Sequence, residues 1–156
     1  YDKYLDMIYK KTASLIEAAS RAAAILAGLD EEKYALYGKN LGLAFQMIDD
    51  ILDITQDSST LGKPAMLDFV EGKVTIPYLL LHERLENKTK LESLYKKELT
   101  QEESLWIKEQ MSITNALNDS ILQAKQIGNE AIAAVIDEEN SQTLVIIMKA
   151  MIEREF

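Results

Sequence analysis

The amino-acid sequence predicts an all-α fold, and three features lead to that prediction. The 156 residues include only two Pro and six Gly, so long segments run without residues that break helices. Apolar residues recur with the 3.6-residue period of a helix, and no segment shows the alternation typical of a half-buried strand. Several segments also begin with residues that favour helix N-caps. We therefore expect six or seven helices in a single unit that covers residues 1–156.

The first predicted helix runs from Tyr1 to Leu26 and ends before Gly28, a residue suited to a helix C-terminus. Asp30 is expected to cap the second helix, which extends from about Glu31 to Thr55. The 3.6-residue period predicts a buried stripe on the first helix. That stripe comprises Tyr1, Tyr4, Leu5, Ile8, Thr12, Leu15, Ile16, Ala19, Ala23 and Leu26.

The second helix has a predicted apolar face and two glycines in its interior. Gly38 and Gly42 lie four residues apart, and each costs a helix about 1 kcal/mol relative to alanine. We expect that another helix approaches closely there. The apolar face comprises Tyr34, Tyr37, Leu41, Phe45, Ile48 and Leu52.

The remainder of the chain is also predicted to be mainly helical. Residues 56–72 are expected to form a loop with one short helical turn, and Thr100 with Glu103 fits a capping box. Ser141 is expected to cap the last helix. The further predicted helices begin near Thr75, with Pro77 in the first turn, and cover about 88–97, 100–111, 115–135 and 142–153.

Composition excludes several classes of protein. The formal net charge is −9, from 17 basic and 26 acidic residues, which argues against general nucleic-acid binding. The chain has no Cys, so neither a disulfide framework nor a zinc–thiolate site is possible, and we expect a cytoplasmic protein. The apolar runs are too short for a membrane span. Because the sequence starts at Tyr1, already within a helical pattern, we expect it to be part of a longer polypeptide.

Three aspartates dominate the end of the second helix. Asp49 and Asp53 are one helical turn apart, and Asp50 lies at the edge of the face that they share. Like charges at this spacing repel unless a cation lies between them, and residues 41–59 contain no Lys or Arg. A divalent cation such as Mg²⁺ is the favoured explanation. A carboxylate pair for acid–base chemistry and a solvated helix end are the alternatives.

Three lysines are candidate ligands for an anion beside these aspartates, with Lys73 ranked below the other two. Taken alone, Lys11, Lys63 and Lys73 are ordinary surface lysines, and the single histidine, His82, is more typical of a surface or packing position than of a base. Mg²⁺ on carboxylates together with lysines is, however, the combination that binds a diphosphate. No Walker loop or dinucleotide-binding fingerprint occurs in the sequence.

These residues resemble the trans-isoprenyl diphosphate synthases, also called polyprenyl synthetases. Residues 45–53, FQMIDDILD, match the second aspartate-rich motif of that family. The KTA of residues 11–13, the LGKP of residues 61–64 and the DFVEGKVTIP of residues 68–77 match three further elements in the family's order. The resemblance is to the C-terminal half of the family, because its first aspartate-rich motif and its residues for isopentenyl diphosphate have no counterpart here.

The resemblance implies a fold, an activity and a set of site residues. The fold is the all-α isoprenoid-synthase bundle, and the activity is Mg²⁺-dependent elongation of an allylic diphosphate by isopentenyl diphosphate. Asp49, Asp50 and Asp53 match the metal group, and Lys11, Thr12, Gln46 and Lys63 match contacts to the allylic diphosphate. Lys11, Asp49 and Lys63 are the residues expected to act in catalysis.

The resemblance also implies partners and leaves alternatives. A homodimer is expected, and these residues should be catalytically incomplete without the N-terminal half. The product is expected to be a medium- or long-chain, octaprenyl-like diphosphate or geranylgeranyl diphosphate. The alternatives are a non-catalytic or regulatory subunit of the same fold and a terpene cyclase.

Overall fold

The computed structural model describes residues 1–55 and 66–153, and within these ranges all regular structure is helical, with no strand. The predicted all-α class is therefore confirmed. A π-helical segment, Tyr9–Ala13, joins the first two α-helices. The α-helices are α1 (Asp2–Ile8), α2 (Ser14–Ala27), α3 (Glu31–Thr55), α4 (Leu67–Glu71), α5 (Ile76–Arg84), α6 (Thr89–Leu94), α7 (Gln101–Ile113), α8 (Ala116–Val135) and α9 (Gln142–Ile152).

Contacts divide the chain into two compact units. Within the described residues, one is formed by Asp49–Ile121, and the other by Asp2–Ile48 together with residues 122–153. In the part of the chain that the structure describes, no helix has the combination of length and apolar character that crossing a membrane requires.

The π-helical segment shifts the buried face of the first helical stretch. Ile8 is fully buried, and the next fully buried residue is Ala13, five positions later. A π turn inserts one extra residue, so the positions beyond it rotate by about 100°. The predicted stripe is therefore wrong in its second half, where Leu15 is 77% exposed and Leu26 is 89% exposed. It is also wrong at Tyr1, the first residue, which is 52% exposed.

The prediction of close helix packing at the two glycines of α3 is confirmed. A Cβ atom added at Gly42 would lie 2.5 Å from the Cα of Ala13. One added at Gly38 would lie 2.4 Å from the Ser20 Oγ and 2.8 Å from the carbonyl oxygen of Ile16. The glycines therefore allow α3 to touch α2 and the π-helical segment almost backbone to backbone.

Helix α3 begins and ends at the predicted residues, Glu31 and Thr55. Its start is set by the side chain of the residue just before it. Asp30 Oδ1 accepts hydrogen bonds from the backbone N of Glu32 at 3.1 Å and of Lys33 at 3.4 Å. Gly28 closes the preceding helix in the left-handed conformation, with φ of 69°.

The expected apolar face of α3 is wrong at Phe45, which is 48% exposed, because burial on this long helix does not follow a single stripe.

The unit formed by Asp49–Ile121 has an aromatic core. The ring of Phe69 stacks on that of Tyr78 at a centroid distance of 4.6 Å and meets that of Tyr95 edge-on at 5.5 Å. The predicted capping box at Thr100 and Glu103 is present. Phe69 belongs to α4, so the short helix that follows α3 in sequence is fixed to this core.

Candidate functional site

Thr12 and Gln46 are joined by a hydrogen bond within the unit that contains Asp2–Ile48. The Thr12 hydroxyl donates to Oε1 of Gln46 at 2.9 Å. Thr12 belongs to the π-helical segment, and Gln46, which is only 3% exposed, belongs to α3. Oε1 of the Gln46 amide accepts this hydrogen bond, and Nε2 of the same amide is a hydrogen-bond donor. Two of the residues predicted to contact a diphosphate are thus brought together.

Lys11 precedes Thr12 in the π-helical segment, and its side chain is exposed. It forms no ion pair with any residue in the described part of the chain. Segments of π-helix are frequent at functional sites because the extra residue redirects side chains. The KTA sequence therefore combines an exposed ammonium group with an ordered hydroxyl.

Replacing Thr12 by valine is expected to lower the free energy of unfolding by about 1 kcal/mol, the typical net value of a hydrogen bond. Valine keeps the branched shape but removes the hydroxyl that donates to Oε1 of Gln46. Urea unfolding of the variant measures the loss. Ser14→Ala is the control, since that hydroxyl donates at 3.5 Å to the carbonyl oxygen of Lys10, four residues earlier in the π-helical segment. An equal effect of both substitutions would contradict the prediction.

The three aspartates of α3 lie in different environments. Asp49 is exposed, Asp50 is only 3% exposed, and Asp53 is partly buried. All three lie on the last two turns of one helix that runs without interruption from Glu31 to Thr55. The sequence predicted their proximity, but it did not predict this gradient of exposure.

Asp53 binds the backbone at the start of α4. Its Oδ1 accepts from the N of Leu67 at 3.1 Å, and its Oδ2 accepts from the N of Asp68 at 3.2 Å. Burial, followed by the charge of Asp68, raises the pKa of Asp53 to about 6, against the opposing effect of these two amides. Both carboxylate oxygens of Asp53 are therefore engaged by backbone.

Lys73 forms ion pairs with both acidic residues of α4. Its Nζ lies 2.7 Å from Oδ1 of Asp68 and 2.8 Å from Oε2 of Glu71. The hydrogen bonds to Asp68 and Glu71 raise the pKa of Lys73, so it stays protonated at neutral pH. Its charge is balanced by these two partners.

The surroundings of the three aspartates limit how they can bind a metal ion. Among residues 1–55 and 66–153, no three side chains of His, Cys, Asp or Glu are arranged to hold a metal together. Mg²⁺ often retains several waters and is bound by one or two carboxylates together with substrate phosphates. The exposed Asp49 fits that mode of binding, in which the substrate completes the coordination.

Comparison with known proteins identifies the family. The polyprenyl synthetase family model matches residues 1–113 of the chain. A short chain isoprenyl diphosphate synthase of Methanothermobacter thermautotrophicus is 34% identical over 161 residues, covering 99% of this chain and 50% of the relative. The chain belongs to the polyprenyl synthetase family.

Solved structures of polyprenyl synthetases have the same all-α fold. The octaprenyl pyrophosphate synthase of Helicobacter pylori is 39% identical with a TM-score of 0.88, covering 98% of this chain and 50% of that one. The geranylgeranyl pyrophosphate synthetase of Pyrococcus horikoshii is 28% identical with a TM-score of 0.86, covering 99% and 49%. The chain thus spans about half the length of the relatives that it matches.

Lys63 and Asp68 differ from the other site residues in how prediction and structure compare. Lys63, predicted to contact the diphosphate, lies outside the described residues. Asp68, which faces Asp53 and Lys73, was not predicted as a site residue. It belongs to the DFVEGKVTIP element, but no spacing rule connects positions 53 and 68, because their contact depends on the course of the chain between them.

Proposed function

We propose that the polypeptide containing this chain is a Mg²⁺-dependent trans-prenyltransferase that condenses isopentenyl diphosphate with an allylic diphosphate. The observation that carries the proposal is the exposed Asp49 within the family's FQMIDDILD motif, on the same helix as Gln46. Family membership supports this reaction class, and the chain would supply part of a single synthetase domain.

The proposed reaction is an electrophilic chain elongation. The bond between the allylic carbon and the diphosphate oxygen breaks, and the diphosphate leaves with the electron pair. The double bond of isopentenyl diphosphate supplies the electrons for the new carbon–carbon bond, and loss of a proton restores a double bond. Bound Mg²⁺ would withdraw electron density from the leaving diphosphate.

Each site residue has a proposed role in binding the leaving group. Asp49 would bind Mg²⁺ directly, and the sequence-based prediction extends the metal group to Asp50 and Asp53. The ammonium groups of Lys11 and Lys63 would neutralise diphosphate oxygens that the metal does not reach. Thr12 and Gln46 would fix the orientation of the diphosphate by hydrogen bonds, since their own hydrogen bond already orders both side chains.

Further parts of the proposal concern partners and product. We propose a homodimer and a requirement for the N-terminal half of the family's fold, which would bring the first aspartate-rich motif and the site for isopentenyl diphosphate. The proposed product is geranylgeranyl diphosphate or a medium- or long-chain, octaprenyl-like diphosphate, and two of the relatives are named for these products. A cytoplasmic location stays a prediction, and one relative from Oryza sativa is named as chloroplastic.

The test is an assay of the complete polypeptide with radiolabelled isopentenyl diphosphate, a series of allylic diphosphates and Mg²⁺. Elongated prenyl products that disappear with EDTA and return with added Mg²⁺ are the expected result. Cyclic hydrocarbons formed without the radiolabel would indicate a terpene cyclase instead. Turnover seen only after a second, catalytic subunit is added would indicate a regulatory role. The isolated 156 residues are expected to give no condensation.

A further inference from the structure

Asp53 accepts hydrogen bonds from three consecutive backbone amides. Its carbonyl oxygen accepts from the N of Met66 at 2.8 Å, and its carboxylate accepts from the N of Leu67 at 3.1 Å and of Asp68 at 3.2 Å. The first amides of a helix have no partner within the helix and need one from elsewhere. Asp53 therefore supplies, from the end of α3, the N-terminal cap of α4.

The start of α4 depends on this external cap. Met66, the N-cap residue of α4, makes no side-chain capping bond and has a left-handed backbone with φ of 61°. A residue with a Cβ atom is strained in that conformation, so its surroundings must hold it there. The completely buried side chain of Met66 and the three hydrogen bonds to Asp53 provide that support.

The far end of the same segment is fixed as well. The backbone N of Lys73 donates to the carbonyl oxygen of Asp68 at 2.7 Å, and the Tyr95 hydroxyl donates to the carbonyl oxygen of Gly72. An added Cβ at Gly72 would meet the side chain of Lys96. Residues 66–73 thus form a segment held at both ends, with Asp53 as the contact at its start.

We propose that Asp53 is a positioning residue that anchors residues 66–73 through their amides and does not bind Mg²⁺ directly. The inference rests on the proposed function and gives Asp49 and Asp53 different roles. The exposed Asp49 would bind the ion, whereas the carboxylate of Asp53 must stay directed at α4 to keep both amide hydrogen bonds. Met66 follows Lys63 by three residues, so the anchored segment begins close in sequence to a proposed diphosphate ligand.

The experiment compares Asp53→Asn with Asp49→Asn in the complete polypeptide. Both substitutions remove one negative charge, but only the first removes an acceptor oxygen from the cap. Hydrogen exchange, read by mass spectrometry on peptides covering residues 66–69, is expected to accelerate about fivefold in Asp53→Asn, since a cap is typically worth about 1 kcal/mol. Asp49→Asn is expected to leave this exchange unchanged.

Steady-state kinetics supply the second measurement. For Asp53→Asn, we expect a higher KM for the allylic diphosphate. Its half-saturating Mg²⁺ concentration should stay within about twofold of the wild-type value. For Asp49→Asn, the half-saturating Mg²⁺ concentration should rise by about tenfold or more. A rise in the Mg²⁺ requirement of Asp53→Asn equal to that of Asp49→Asn, or unchanged exchange at residues 66–69, would overturn the proposal.

A second variant covers the case in which Asp53→Asn does not fold. Asp53→Glu keeps the charge and both oxygens but moves them by one methylene, so exchange at residues 66–69 should still accelerate. Slow, wild-type exchange in Asp53→Glu would contradict the anchoring role. If the wild-type polypeptide shows no prenyl transfer, the proposed function fails, while the exchange measurement still decides the anchoring.

Discussion

Replacing Asp49 by asparagine is expected to lower turnover of the complete polypeptide by roughly 10²–10³-fold, the usual loss when one electrostatic contact to a developing charge is removed. Asparagine is nearly isosteric and has a neutral amide oxygen in place of the carboxylate. It would weaken the bond to Mg²⁺ and the stabilisation of the leaving diphosphate. Steady-state assay at saturating Mg²⁺ and substrate measures the loss.

The fold of Asp49→Asn should be preserved, because Asp49 is exposed and substitutions at exposed positions usually change the free energy of unfolding by less than about 0.5 kcal/mol. Urea unfolding checks this expectation. Asp137→Asn is the matched control, since it makes the same change at another exposed aspartate that has no proposed role. Turnover of Asp49→Asn at the level of this control would eliminate Asp49 as the metal ligand.

The sequence was most informative where a structural feature depends on a few neighbouring residues. Asp30 caps α3 with its own side chain, and Thr100 and Glu103 cap each other across one turn. Gly38 and Gly42 indicated close packing because a glycine pair inside a helix is costly without a reason. The aspartates and Gln46 could be assigned to one helix on the same local grounds.

The features that escaped prediction depend on structure beyond the local pattern. A π turn at Tyr9–Ala13 has no distinct signature in the apolar period, so the buried stripe was extended through Leu15 and Leu26, which are exposed. The engagement of Asp53 by α4 joins residues more than a dozen positions apart. Spacing predicted that three aspartates would lie together, but not that one of them would bind backbone amides.

Gly42→Ala is expected to lower the free energy of unfolding by about 2 kcal/mol, within the range for an overpacked contact. The new Cβ would lie 2.5 Å from the Cα and 2.8 Å from the Cβ of Ala13, so the backbone of one helix has to move. The expected loss is a net value: a cost of about 3 kcal/mol from the overpacked contact is offset in part by the gain in helix propensity of about 1 kcal/mol that alanine brings. Urea unfolding measures the net change.

Gly128→Ala is the matched control for Gly42→Ala. It brings the same gain in helix propensity, but the atoms near its added Cβ belong to the side chains of Ile152 and Met148, which adjust more easily than backbone. We expect a smaller loss of stability in this variant. A loss at Gly128 equal to that at Gly42 would show that backbone contact is not the cause.

The displacement caused by Gly42→Ala should also reach the proposed diphosphate contacts. Ala13 directly follows Thr12, so movement of the π-helical segment would stretch the 2.9 Å hydrogen bond from Thr12 to Gln46. The KM for the allylic diphosphate should therefore rise in Gly42→Ala. In a Thr12→Val background, the same substitution should raise KM less, because the hydrogen bond is already absent. Fully additive effects in this double-mutant cycle would show that the glycine contact and the Thr12–Gln46 pair act independently.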